Sequence, residues 1–225
     1  NTMAHDIEGM LDAKRALLLA LSHELRSPLT RARLNAELLP ATSEGATERD
    51  ALLRDLNEMR DLISDLLESE RLASPHAALQ REPVDLAALV REVVSEQAGF
   101  GAVQLDLPDA LPIRLLDRTR VRLLVRNLLD NALRYSAGAP QPPRISLRTE
   151  GRGVLIEVRD FGPGVDAAQL AHLTEPFYRT DSARQRATGG VGLGMYLCRL
   201  VAEAHGGTLE VRNAQPGLAI TALLI

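Results

Sequence analysis

A chain of 225 residues holds one large domain or two modest ones. Its 45% hydrophobic and 25% charged residues are those of an ordinary globular protein, and a net charge of −4 with 3% aromatic residues and no Trp gives no ground for nucleic-acid binding by charge or by stacking. Cys198 is the only cysteine, which excludes an intramolecular disulfide and a four-thiolate zinc site and fits a reducing compartment, and no run of 18 apolar residues predicts a membrane span.

The first predicted element is a long helix over residues 3–39, with Ile7, Met10, Leu11, Leu17, Leu18, Leu21, Leu25, Leu34 and Leu38 as its apolar positions. A turn-like stretch, Pro40 to Gly45, follows. Next, Leu52, Leu56, Met59, Ile63 and Leu66 recur in steps of four and three, a heptad seam widened by Leu53, Leu62 and Leu67. The pair predicts an antiparallel helical hairpin. One hairpin leaves apolar surface open, at about 1.5–3 kcal/mol for each Leu that stays unburied. Two hairpins around a two-fold axis would close a dimeric four-helix bundle. The alternative is one hairpin packed on its own second domain.

The pattern changes after Ser74-Pro75. Residues 85–97 predict a helix with Asp85 near its start. Residues 103–107 and 112–116 predict short strands around Pro108, and residues 117–135 a helix with Asp117 as N-cap. Ile145 to Thr149 and Val154 to Val158 alternate as strands joined at Gly151-Arg152-Gly153. A loop covers 161–189, a helix covers 191–205 and stops at Gly206-Gly207, and strands over 208–212 and 218–224 finish the chain. Helices with mostly antiparallel strands predict an α+β sandwich.

Four strings carry chemistry. The first is Ser22 to Thr30, with His23 at its centre. An imidazole whose ordinary pKa lies near ~6.5 is largely neutral and nucleophilic at physiological pH. Glu24 follows directly and could swing to orient or deprotonate the ring. Pro28 removes a helical hydrogen bond and predicts a kink. A lone helical histidine is more often structural; the surrounding string argues otherwise. The second string, Arg126 to Tyr135, sets Asn127 and Asn131 on one helix face with Arg134 close by. Two amide oxygens and a guanidinium could hold Mg²⁺ and phosphates, although the two asparagines alone would read as a solvated stripe. The third, Asp160-Phe161-Gly162-Pro163-Gly164, follows a strand and combines a carboxylate with a backbone free to approach a ligand; alone it could be an ordinary turn. No His-Arg-Asp loop accompanies it, which excludes the eukaryotic-type kinase reading of Asp-Phe-Gly. The fourth, Gly189 to Met195, opens a helix whose free amides attract phosphate. It lacks the Gly-Lys-Ser/Thr of a P-loop and the last glycine of the dinucleotide fingerprint.

In this order and spacing the strings resemble the bacterial sensor histidine kinases, over roughly residues 3–225. His23 matches the H-box, Asn127 and Asn131 the N-box, Asp160, Gly162 and Gly164 the G1 box, Gly190, Gly192 and Gly194 the G2 box, and Glu175 to Arg179 the F-box of the mobile lid. The resemblance implies a dimerisation and phosphotransfer hairpin over 1–74, a hinge over 75–80, and a Bergerat-type ATP-binding sandwich over 81–225. It implies that His23 is the phosphoacceptor with Glu24 as its activating neighbour. Asn131 and Asn127 would bind Mg²⁺, Arg134 would contact phosphate, and Tyr135 would line the nucleotide pocket. Asp160 would accept a hydrogen bond from the adenine amino group. Gly190, Gly192, Leu193 and Gly194 would wrap the phosphates, and Phe177 would position the lid. The cofactors implied are ATP and Mg²⁺, and the partners are a second copy of the chain and a response regulator receiver domain.

The same resemblance implies the cytoplasmic portion of an inner-membrane sensor, with membrane contact only through segments outside this chain; the chain opens at Asn1 without Met, as a piece of a longer protein would. Ser27 stands where the family more often has Thr, at a position tied to dephosphorylation of the regulator, and Val191 replaces a frequently polar residue. Rival readings are a Bergerat-fold ATPase without a phosphoacceptor, a nucleotide-binding scaffold without catalysis, and a protein acting mainly as a phosphatase. His5, His76, His172 and His205 read as surface or packing residues, Cys198 as core, and Arg184 and Arg186 as lid arginines.

Overall fold

The structure is a computed structural model that describes residues 25, 29–37, 46–72, 78–97, 102–180 and 192–225. The chain divides into two compact units, Asn1–Arg71 and Leu72–Ile225. In the first unit, residues 29–37 form helix α1 and Ala46–Leu72 form α2. Ala36 and Leu56 are buried, and the Arg33 guanidinium donates to Asn57 Oδ1 at 3.5 Å, which joins the two helices. The heptad seam is only partly covered within the chain: Leu52 and Met59 are 43% and 50% exposed. The predicted turn at 40–45, the Pro28 kink and the Ser74-Pro75 hinge lie outside the described residues.

The second unit runs β1 (Glu82–Val84), α3 (Leu86–Glu96), β2 (Gln104–Asp106), β3 (Arg114–Leu116), α4 (Arg118–Tyr135), β4 (Arg144–Glu150), β5 (Gly153–Arg159), α5 (Ala167–Leu170), α6 (Gly194–Ala204), β6 (Leu209–Asn213) and β7 (Leu218–Leu224). Five strands form one sheet in the order β2-β4-β5-β7-β6, all antiparallel except β2 with β4. Val154, Ile156 and Val158 of β5 are buried while Leu155, Glu157 and Arg159 on the alternate face are partly exposed. The buried face meets the apolar stripes of α4 and α6, where Leu124, Leu128, Leu197 and Val201 are fully enclosed. The result is a helix layer on a sheet layer, the predicted α/β sandwich.

Local chemistry sets the helix limits. Asp85 caps α3 by accepting the Ala88 N–H at 2.9 Å, and Asp117 caps α4 by accepting the Arg120 N–H at 3.1 Å. At the end of α6, Gly206 adopts a left-handed φ of 76°. The N–H groups of Gly206 and Gly207 bond the carbonyls of Glu203 and Ala202, both at 2.9 Å, and satisfy the last turn. The predicted start of this helix at 191 moves to Gly194, because Gly192 has φ 85° and cannot continue a right-handed helix.

Two further expectations change. The strands read around Pro108 are shorter and belong to different sheets: β2 lies along β4, whereas β3 pairs with β1 in a separate two-stranded sheet. The sequence reading missed β1, whose middle residue is Pro83, a residue that argues against strand. The loop read over 161–189 contains the single turn α5.

Candidate functional site

Helix α4 organises the site. Asn127 is buried at 9% exposure, Asn131 and Tyr135 are half-buried and Arg134 is exposed, so the polar stripe opens toward the helix C-terminus. Helix α6 packs alongside, and its first residue, Gly194, faces Asn127. A Cβ on Gly194 would stand 3.7 Å from Asn127 Cγ, an ordinary contact, so the glycine leaves room above the amide without enforcing a strained backbone. Asn127 Nδ2 is buried with no hydrogen-bond partner among the described residues. A buried donor of this kind costs about 1–3 kcal/mol until an acceptor arrives. A phosphate oxygen would supply such an acceptor, and an amide oxygen is a hard ligand suited to Mg²⁺, so the residues present fit a metal–phosphate group.

At the C-terminal end of α4 the chain leaves β5 through Asp160. Its N–H donates to the Leu218 carbonyl at 2.9 Å, and its Oδ1 accepts the Gly162 N–H at 2.9 Å. The residue is 4% exposed. Burial pushes the carboxyl above its ordinary value, and the hydrogen bonds with Gly162 and Leu218 and the Arg159 charge pull the other way. The Phe161 N–H donates to Ser136 Oγ at 3.0 Å, which pins the loop to the end of α4. A Cβ at Gly162 would overlap the Tyr135 carbonyl oxygen, and one at Gly217 would overlap the Asp160 carbonyl. Gly164, at φ 73°, lies against Asn213, which exchanges hydrogen bonds with the backbone of Val165 at 3.2 and 2.8 Å. Asp160, Gly162, Gly164 and Tyr135 are thus brought together. Asn127 and Tyr135 are eight residues apart, about 12 Å along the helix.

Phe177 and Gly192 form a third piece. The Phe177 N–H donates to the Gly192 carbonyl at 3.0 Å, and both residues have positive φ, 63° and 85°. Phe177 is 57% exposed, whereas Leu193 is buried and its carbonyl accepts the Leu197 N–H at 2.9 Å. His23, Glu24, Ser27, Gly190, Val191, Arg184 and Arg186 lie outside the described residues. Ser136, Asn213 and Gly217 were not singled out from sequence. Their contribution is support through contacts distant in the chain, and the only local signal was Gly217 in the turn between two strands.

Residues 116–224 match the family described as histidine kinase-, DNA gyrase B- and HSP90-like ATPase, and residues 13–75 match the His Kinase A (phospho-acceptor) domain. The chain is 33% identical over 231 residues to the sensor protein RstB of Escherichia coli K12, covering 96% of this chain and 50% of RstB. It is 34% identical to the signal transduction histidine-protein kinase BaeS of the same organism, covering 98% of this chain and 49% of BaeS. Among solved structures, full-length ShkA in complex with AMPPNP matches with a TM-score of 0.77 at 26% identity, over 93% of this chain and 46% of that one. The chain belongs to the sensor histidine kinases and carries their ATP-binding domain. It spans about half the length of these curated relatives. Among the described residues no helix is long and apolar enough to cross a membrane.

Proposed function

We propose that this chain is the catalytic core of a sensor histidine kinase, which uses Mg·ATP to phosphorylate His23 and passes the phosphoryl group to an aspartate on a response regulator receiver domain. The observation that carries the reading is the pairing of two unlike polar groups along α4: a buried carboxylate, Asp160, at the Tyr135 end and an unsatisfied buried amide, Asn127, beside Gly194. A ligand with an amino-bearing base at one end and phosphates at the other meets both demands.

In this reading Asp160 accepts from the adenine amino group and Tyr135 lines the base. Asn131 and Asn127 hold Mg²⁺ and phosphate oxygens, and Arg134 adds a charge-assisted contact. Gly162 and Gly164 shape the base end. Gly190, Gly192, Leu193 and Gly194 form the phosphate-side backbone, and Phe177 positions the segment that covers it. Mg²⁺, when bound, offsets the charge on the phosphates. A His23 ring nitrogen attacks the γ-phosphorus in line; a P–N bond forms as the P–O bond to ADP breaks, and Glu24 orients the ring through its other nitrogen.

The half-exposed Leu34, Leu52 and Met59 favour a second copy of the hairpin as the cover of the first, hence a homodimer. The proposed division is phosphotransfer hairpin 1–74, hinge 75–80 and catalytic domain 81–225. The chain would be the cytoplasmic portion of an inner-membrane sensor. Dephosphorylation of the regulator, with Ser27 involved, is a secondary activity in this reading. The test is incubation with γ-labelled ATP and Mg²⁺. Acid-labile label is expected on the wild-type chain and is absent from His23→Gln and Asn131→Ala; label that persists in His23→Gln overturns the assigned acceptor.

A further inference from the structure

His205 is the C-cap of α6, the residue after Ala204, and is fully buried, eleven residues from Gly194 at the start of the helix. Both ring nitrogens are engaged. Nδ1 lies 2.8 Å from the Val201 carbonyl, which can only accept, so Nδ1 carries the proton. Nε2 is then the acceptor for the Asp117 N–H at 3.1 Å. That N–H belongs to the N-cap of α4, one of the backbone donors that no helical carbonyl can reach. The His205 carbonyl in turn accepts the Ile225 N–H at 3.1 Å, which ties the same corner to the end of β7.

Three contacts fix how α6 lies along α4. His205 meets Asp117 at one end, Cys198 Sγ sits 3.6 Å from the Leu124 carbonyl in the middle, and Gly194 faces Asn127 at the other end. A step forward on one helix is matched by a step back on the other, which is an antiparallel register. The middle contacts are apolar or involve a weak sulfur donor, and such surfaces slide at little cost. The imidazole bond is directional and buried. We infer that His205 is a positioning residue: by accepting the Asp117 N–H it sets the register of α6 against α4, and so the placement of Gly194 over Asn127, about 16 Å away along the helix. This inference rests on the nucleotide-binding reading for its consequence, though not for the register itself.

The test uses the full 225-residue chain with two substitutions. His205→Leu fills the space but offers no acceptor; His205→Gln places an amide oxygen near the position of Nε2. Two measurements are made on each: affinity for the ATP analogue AMPPNP with Mg²⁺, and amide hydrogen exchange. His205→Leu is expected to weaken the analogue about tenfold and to speed exchange at residues 193–197 while β4 and β5 keep their protection. His205→Gln is expected to restore both to within about threefold of wild type. Unchanged affinity in a folded Leu variant overturns the inference. So does exchange that rises evenly across the sandwich, or a Gln variant no better than Leu. Should the Leu variant not fold, the Gln variant decides: loss of affinity at wild-type thermal stability overturns the inference. If the wild-type chain binds no nucleotide, the kinase reading falls, and the exchange pattern alone decides the register.

Discussion

Burial holds the Asp160 carboxyl above its ordinary value, against the opposing pull of the Gly162 and Leu218 hydrogen bonds. A carboxyl raised in the folded state makes stability fall as pH climbs from the unfolded value to the folded one, and the deficit persists at neutral pH. The fold therefore carries a group that costs stability where it stands, which natural proteins do at binding sites. Asp160→Asn separates the two roles. The amide oxygen can still accept the Gly162 N–H, so the loop keeps its shape, while the ionisable oxygen that would face adenine becomes a donor. Calorimetric scans are expected to show an unchanged or higher thermal midpoint, and titration with AMPPNP an affinity lower by about tenfold or more, equivalent to ~1.4 kcal/mol. A lower midpoint with intact affinity would make Asp160 a structural residue instead.

At the scale of elements, the two described glycines of the fourth motif have different reasons for being glycine. Gly192 has φ 85°, and a Cβ there would lie 2.6 Å from the Tyr178 carbonyl. Its replacement forces a left-handed L-residue, at roughly 1–2 kcal/mol, and disturbs the bond that joins it to Phe177. Gly194 opens α6 in right-handed backbone with ordinary space around it. There Ala favours the helix by roughly 0.5–1 kcal/mol but fills the room above Asn127. Urea unfolding of Gly192→Ala is thus expected to show lost stability. Gly194→Ala is expected to hold or gain stability while nucleotide affinity declines; matching behaviour of the two variants would refute the distinction. The sequence placed both residues at the opening of a helix read from 191 but could not separate them, because φ and the distance to Tyr178 depend on the tertiary structure. The caps at Asp85 and Asp117 were legible because a cap is a local device. The strand β1 and the separation of β2 from β3 were not, because three-residue strands have too little periodicity and their partners lie thirty to forty residues away. Asn127 and Asp160 could be picked out as polar groups in motifs, but their burial, which gives them chemical leverage, comes from α6 and β7 closing over them.

For the molecule as a whole, the corner where α4, α6 and β7 meet contains a titratable group that the fold keeps neutral. Burial pushes the His205 imidazole below its ordinary value; the Arg81 and Arg120 charges act in the same direction, while the Val201 hydrogen bond and Asp117 oppose them. The unfolded chain takes up this proton near pH ~6.5, whereas the folded chain resists until a lower pH. More protons bound in the unfolded state means that stability rises with pH in this window, so it falls as pH drops below about 6.5, at a limiting slope of ~1.36 kcal/mol per pH unit for one proton. Protonation would also set an Nε2–H against the Asp117 N–H, two donors face to face, in a core that buried Leu124, Leu128, Leu197 and Val201 otherwise seal. Urea unfolding followed from pH 7.5 down to pH 5.5 is expected to show a steeper loss of stability in the wild-type chain than in His205→Gln. Carboxylates titrating at the lower end contribute equally to both proteins, so the difference between the two curves isolates the imidazole. Parallel curves would mean that His205 accepts its proton in the folded state as readily as in the unfolded one, and the fixed tautomer would have to be abandoned.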